Sequence, residues 1–186
     1  MVDIASLWLP IFLSSVIVFI VSSIIHMAPL WHKNDYPRVK DEERAMDALR
    51  PFAFPPGLYV MPRAENSKAM RSPEFAEKMK KGPVIMMTVM PNGPVSMGKS
   101  LGLWFVYTVV IGFMCAYVAG RALPPDAPYL HVFRFVGTTA FLSYAAALWQ
   151  GPIWYGRPWR MTLKDTVDGL LFALFTAGTF GWLWPR

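Results

Sequence analysis

The stretch LWLPIFLSSVIVFIVSSIIHMAPLW, from Leu7 to Trp31, contains no Asp, Glu, Lys or Arg. A helix that crosses the roughly 30 Å hydrocarbon core of a bilayer needs about 20 mostly apolar residues. The stretch is long enough, and it lacks the basic leading segment and the small-residue cleavage site of a removable signal peptide. It therefore predicts a retained membrane-spanning helix.

Three further apolar stretches predict the rest of the fold, and they cover Leu101–Gly120, Leu130–Trp149 and Thr166–Trp184. Only 16% of the 186 residues are charged, whereas an average soluble domain has about 25%. The sequence thus predicts an all-α integral membrane protein with four transmembrane helices. A disulfide-stabilised fold is excluded, because Cys115 is the only cysteine.

These stretches divide the chain into three parts, which are residues 1–32 with the first transmembrane helix, residues 33–100 as a connector, and residues 101–186 as a three-helix transmembrane region. The connector is long and rich in proline. Within it, Lys40–Arg50 and Ser72–Gly82 predict short helices, the second with Ser72 as N-cap. Val84–Met90 indicates a strand or a segment lying on the membrane.

Basic residues predict the orientation in the membrane. Fifteen of the 18 Lys and Arg lie in the connector or between the third and fourth apolar stretches. Since cytoplasmic loops carry an excess of Lys and Arg, we expect a cytoplasmic connector and both termini on the far side. The net charge of +6 then reflects anionic lipid, and no nucleic-acid partner is expected.

Small residues recur every fourth position in two of the apolar stretches, and such stripes let helix backbones approach closely in lipid. They are Gly112, Ala116 and Gly120 in the second stretch, and Gly169, Ala173, Ala177 and Gly181 in the fourth. We interpret them as helix-packing or interface residues. The longer stripe could face another helix of the chain or another subunit.

Histidines are the first candidates for binding chemistry. His26, at the predicted cytoplasmic end of the first helix, is either hydrogen-bonded or a ligand of a chlorophyll magnesium. His131 lies at the opposite side of the membrane, so the two cannot clamp one haem. His32 is six residues from His26 and is expected on a different helix face.

Asp168 is an acidic residue inside the fourth stretch, and such residues are functional candidates. However, Asp165 and Asp168 also fit the first turn of a helix capped by Thr162, and we expect that capping role. Arg134 lies too far away to pair with Asp168. The sequence therefore predicts no buried charge chain, which speaks against a transporter, and it contains no catalytic or metal-binding motif that we recognise.

Four stretches together resemble a widespread family of small, uncharacterised bacterial inner-membrane proteins, namely SSIIHMAPLWHKNDYPRV, TVMPNGPVSMGKSLGLWFVY, IWYGRPWRMTLKDTVDGL and ALFTAGTFGWLWPR. The chain also resembles an accessory subunit of a bacterial photosynthetic reaction-centre–light-harvesting complex. These resemblances imply an inner (cytoplasmic or intracytoplasmic) membrane, so the far side on which the basic residues place both termini is the periplasm. They also imply membrane-protein partners and the possibility of contact with bacteriochlorophyll, carotenoid or lipid. Because the sequence has no recognised cofactor-binding motif, we expect no required cofactor.

Three functions remain open from the sequence. The first is a non-catalytic structural or accessory subunit of a larger energy-transducing membrane complex. The second is a small homo-oligomeric transporter or channel-like protein. The third is a membrane enzyme, for which His26, His32 and Asp168 form the only plausible cluster.

Overall fold

The computed structural model describes residues 1–27 and 31–185. In chain order its elements are α1 (Trp8–Met27), α2 (Glu42–Leu49), β1 (Gly57–Met61), α3 (Ser67–Met70), α4 (Pro73–Lys81), β2 (Ile85–Val89), α5 (Met97–Ala122), α6 (Tyr129–Ala145), α7 (Gln150–Tyr155) and α8 (Trp159–Trp182). Two compact units emerge: the helical unit, Met1–Tyr36 with Ser96–Arg186, and the connector unit, Pro37–Val95.

Among the described residues, three helical segments are long and apolar enough to cross a membrane: Ile4–Met27, Met97–Ala122 and Tyr129–Tyr155. The first adds a 3-10 turn before α1, and the third joins α6 to α7 through a 3-10 turn. The prediction of an all-α membrane protein is thus confirmed in part, since the chain is mostly helical and has three candidate membrane-spanning helices. α8 is also long, but it is not among the three segments, and its N-terminal half contains Asp165 and Asp168.

Neighbouring long helices run antiparallel, because residues from opposite helix ends meet. At one end of the helical unit, the Trp104 Nε1 of α5 donates a hydrogen bond to Ser22 Oγ near the end of α1, at 2.8 Å. At the other end, Val2 N donates to Gly120 O, also at 2.8 Å. At this second end, Trp184 Nε1 also donates a hydrogen bond to the Pro124 carbonyl oxygen.

Small residues allow close packing inside the helical unit. A Cβ added to Gly169 of α8 would lie 3.1 Å from Ala145 Cβ of α6, and one added to Gly112 would lie 3.3 Å from the Ile11 carbonyl oxygen. The remaining residues of the two stripes also lie inside the unit: Ala116, Ala173 and Ala177 are buried, Gly120 lies beside Val2, and Gly181 lies beside Tyr129. The long stripe therefore contacts α6 of the same chain.

The connector unit contains a β-hairpin and the short helices predicted from sequence. β1 and β2 pair antiparallel, from Gly57↔Val89 to Met61↔Ile85. Of the two alternatives predicted for residues 84–90, a strand or a segment lying on the membrane, the structure shows the strand. α2 and α4 confirm the predicted helices, and Ser72 Oγ caps α4 by accepting from Phe75 N at 3.1 Å. None of residues 37–95 is buried.

Candidate functional site

The candidate site is a polar cluster where residues 31–36, the described segment after α1, meet the N-terminal half of α8. His32 lies between two carboxylates: its Nδ1 donates to Asp35 Oδ2 at 2.7 Å, and its Nε2 donates to Asp168 Oδ2 at 2.8 Å. Asp35 and Asp168 are only 8% and 4% exposed. Because a carboxylate accepts hydrogen bonds, this arrangement suits a His32 ring that is protonated on both nitrogens.

Lys164 extends the cluster on its outer side. Its Nζ donates to Asp35 Oδ1 at 2.6 Å and to the backbone carbonyl of Trp31 at 2.5 Å. Lys164 and Asp168 are four residues apart on α8 and therefore lie on one helix face. The network thus links the segment after α1 to α8 through side chains from both.

These contacts set the charges of His32 and Asp35. Burial lowers the pKa of His32, but the hydrogen bonds and negative charges of Asp35 and Asp168 outweigh burial, and the net result is a raised pKa. Hydrogen bonds from Lys164 and from His32 hold the pKa of Asp35 below its usual value, against the opposing effect of burial. These contacts therefore favour the protonated form of His32 and the ionised form of Asp35.

His26 lies directly beside this network. Its ring stacks on the His32 ring with centroids 4.8 Å apart and planes 9° from parallel. The expectation that the two histidines lie apart on different helix faces was wrong, because α1 ends at Met27 and His32 lies beyond it. His26 Nδ1 donates to the Ser22 carbonyl oxygen at 2.9 Å, so in the neutral ring Nε2 carries the free lone pair.

A cavity of about 370 Å³ adjoins the cluster. Its polar side includes His26, His32 and Asp168, and Asp35, Arg157 and Asp165 also line it. The rest of the wall is largely aromatic and includes Trp104, Tyr107, Tyr144 and Phe172. These rings pack edge-on or tilted, with centroids 5.5 to 6.5 Å apart. The cavity therefore combines an apolar wall with a few converging polar groups, which is the usual character of a small-molecule site.

The same three polar residues could also hold a metal ion. His26, His32 and Asp168 each offer one ligand atom, and these atoms all lie within 4.8 Å of one another. Two imidazole nitrogens and one carboxylate oxygen are ligands that first-row transition metals accept. The cluster that the sequence singled out for a membrane enzyme is thus brought together in space.

Two expectations about α8 were wrong. The helix begins at Trp159, after Pro158, so Asp165 and Asp168 lie in its second and third turns rather than its first, and Thr162 is not an N-cap. Asp168 instead contacts His32, and Asp165 pairs with Arg157. A chain of charged groups that includes two buried carboxylates, Asp35 and Asp168, therefore exists, contrary to prediction.

Asp35 and Lys164 are the site residues that sequence reasoning missed. A local signal for Lys164 was present, because Gly156 and Pro158 together mark the end of one helix and the start of the next. A helix starting there places Lys164 and Asp168 on one face. No comparable local signal brings Asp35 to α8.

Comparisons of the chain with known protein families, with curated proteins and with solved structures find no match.

Proposed function

We propose that this chain is a non-catalytic accessory subunit of a larger bacterial membrane complex, and that residues 37–95 dock it to other subunits. The observation that carries the proposal is that none of these residues is buried. A folded unit of this size normally buries a core of its own, and a lone two-stranded hairpin is marginally stable in water. Contact with a partner would supply the missing burial.

The outer face of the hairpin supports this role. It presents Leu58, Val60 and Met86 to solvent, with Leu58 79% exposed. Val60 and Met86 are directly paired across the strands, so the three side chains form one apolar strip. Methionine adapts to irregular partner surfaces, and we propose that this strip contacts another membrane-protein subunit.

The subunit is proposed to span the membrane four times. α8 packs along α6 from Gly169 beside Ala145 to Gly181 beside Tyr129. Its 24 residues extend about 36 Å at 1.5 Å per residue, enough for the hydrocarbon core. If α6 crosses the bilayer, α8 therefore crosses beside it.

The proposed topology places the connector in the cytoplasm and both termini in the periplasm, since 15 of 18 basic residues lie on the connector side. Two cysteine variants in a Cys115→Ser background test it with an impermeant thiol reagent. In intact cells Asn66→Cys should be protected, and Asp126→Cys, in the α5–α6 turn, should be labelled. The reverse pattern would overturn the topology.

For the parent complex, the sequence resemblance favours a photosynthetic reaction-centre–light-harvesting assembly, with His26 or the aromatic cavity contacting bacteriochlorophyll, carotenoid or lipid. Purification of the native protein in mild detergent, with identification of its partners and an absorption spectrum, tests this assignment. Partners from another energy-transducing complex, without pigment absorption, would keep the subunit role and reject the photosynthetic one.

The docking role is tested by a Leu58→Ser/Met86→Ser double variant in the same purification. We expect it to lose the partners while the purified chain keeps its helical content and melting temperature. Met70→Ser is the matched control, because Met70 is an exposed methionine of the same unit that lies outside the hairpin. Retention of all partners by the double variant, or a wild-type protein that purifies alone, would contradict the proposal.

One observation favours a second candidate, a small homo-oligomeric transporter or channel-like protein. The chain Lys164–Asp35–His32–Asp168 is continuous and borders a cavity, and ionisable residues within helices often mark ion or solute paths. Flux measurements on reconstituted vesicles test it. Transport by the wild type and its loss in Asp168→Asn would favour this function over the accessory role.

A further inference from the structure

We propose that His26, His32 and Asp168 bind one divalent transition-metal ion at the edge of the aromatic cavity. Their ligand atoms lie within 4.8 Å of one another, close enough for small side-chain movements to bring all three onto one ion. The site joins α1, the segment after it and α8. It does not depend on the docking of the connector unit.

The surroundings of both histidines match those of metal ligands. A metal-binding imidazole usually donates its other ring N–H to a carboxylate or a backbone carbonyl, which fixes the ring's orientation. Here His32 Nδ1 donates to Asp35, and His26 Nδ1 donates to the Ser22 carbonyl. The Nε2 atom of His26 is therefore free for an ion, and the Nε2 atom of His32 becomes available when the ion displaces the proton that it shares with Asp168.

The negative charge of Asp168 is only partly balanced by cationic side chains of the protein. It is nearly buried, yet among the described residues no Lys or Arg side chain lies within 4.0 Å of its carboxylate, and His32 is its one ionic partner. Lys164 is engaged by Asp35 and by the Trp31 carbonyl instead. A bound ion would take the place of the proton between His32 Nε2 and Asp168 Oδ2.

Binding requires one local movement. Imidazole lone pairs lie in the ring plane, and the two rings are stacked 9° from parallel. One ion can meet both Nε2 atoms only after a ring turns out of this stack. We expect the His26 ring to turn, because it is exposed and only the hydrogen bond from its Nδ1 to the Ser22 carbonyl oxygen is seen to hold it among the described residues.

The ligand set also indicates the class of ion. Two imidazole nitrogens with one carboxylate suit Zn²⁺ or Fe²⁺, whereas Mg²⁺ and Ca²⁺ favour sites made of oxygen ligands. Three protein ligands leave at least one coordination position for water or another ligand. Because all three residues line the cavity, a small molecule held there could reach that position.

The test uses the full chain in detergent, purified without a histidine tag and treated with a chelator. Zn²⁺ is the probe, and its binding is measured by titration calorimetry and by metal analysis after dialysis. We expect one Zn²⁺ per chain and no competition from excess Mg²⁺. His26→Ala and Asp168→Asn should lose binding, whereas His131→Ala, which removes a histidine at the start of α6, should bind like the wild type.

Asp35→Asn tests the positioning role of the second carboxylate. Loss of such an outer partner typically weakens metal affinity by about 10–100-fold, and we expect the variant to bind Zn²⁺ in this weakened way with unchanged stoichiometry. Co²⁺ in place of Zn²⁺ gives an independent readout, because its visible absorption should report nitrogen and oxygen ligands in the wild type. That absorption should be absent from His26→Ala.

Folding defects are separated from loss of binding by the Zn²⁺-induced shift of the melting temperature. His26 is exposed, so His26→Ala should fold like the wild type without metal and show no Zn²⁺ shift. The proposal is overturned if the wild type takes up no Zn²⁺, or if His26→Ala and Asp168→Asn bind it as tightly as His131→Ala does.

Discussion

The helical unit and the connector unit use apolar side chains in opposite ways. The helical unit buries small residues such as Ala116 and Ala177 between helices and exposes large ones such as Phe12 and Ile24. The connector exposes Leu58 and Met86 but has no buried residue to balance them. Exposed apolar surface therefore means lipid contact where a helix spans the bilayer, and a need for a partner where it lies on a hairpin.

The two units also differ in how deeply they bury their charged side chains. The helical unit holds His32 and Asp168 with side chains that are mostly buried, whereas the connector pairs Lys80 with Glu77 on its surface. Removing one member of a buried pair leaves a charge without a partner or solvent. Removing one member of an exposed pair changes little, because water replaces the partner.

The largest expected effect tests this contrast. Asp168→Ala should lower the free energy of unfolding of the chelator-treated protein by about 3 kcal/mol, because it leaves the Nε2 N–H of the mostly buried His32 without its acceptor. Denaturant unfolding in detergent, followed by tryptophan fluorescence, measures it. A loss below about 1 kcal/mol would place the pair in the class of surface ion pairs.

The next effect concerns the small-residue stripe of α8. Ala177 is fully buried, and a Cβ on Gly137 of α6 would lie 3.3 Å from it. Ala177→Leu should therefore destabilise the helical unit by about 1–3 kcal/mol through overpacking. Leu174→Ala, on an exposed position of the same helix, should cost less, and the opposite ranking of melting temperatures would show that the stripe faces lipid.

A smaller effect should appear in hydrogen exchange of the connector. Backbone amides between Pro51 and Pro62, which include β1, should exchange at least about tenfold faster in the isolated subunit than in the native assembly, a difference near 1.4 kcal/mol. Amides in the middle of α5 should be slow in both states. Equally slow exchange of the hairpin in both states would show that the connector is stable by itself.

The smallest effect is expected for Glu77→Ala in α4. Its partner Lys80 is mostly exposed, so the unfolding free energy should change by no more than about 1 kcal/mol. This variant is the surface control for Asp168→Ala under identical conditions. A destabilisation as large as that of Asp168→Ala would remove the distinction between the two units.

Local sequence determined much of the secondary structure. The long uncharged run before Trp31 predicted a helix suited to the bilayer, because length and apolar content alone satisfy the membrane core. Ser72, Pro73 and Gly82 predicted the ends of α4, because each residue type fits the backbone geometry of its position. Pro158 is also a signal for the start of α8. The apolar pattern instead placed the predicted start at Thr166, seven residues after the actual start at Trp159.

Tertiary structure alone decided the site and the pairing of the helices. His32 and Asp168 are 136 positions apart in the chain, and no periodicity relates residues on different helices. Nor could the sequence show that the α8 stripe faces α6 rather than another subunit, since small residues permit close approach but do not determine which helix packs against them. Close packing of α8 brings its charged turn against the segment after α1, and that three-dimensional contact creates the cluster.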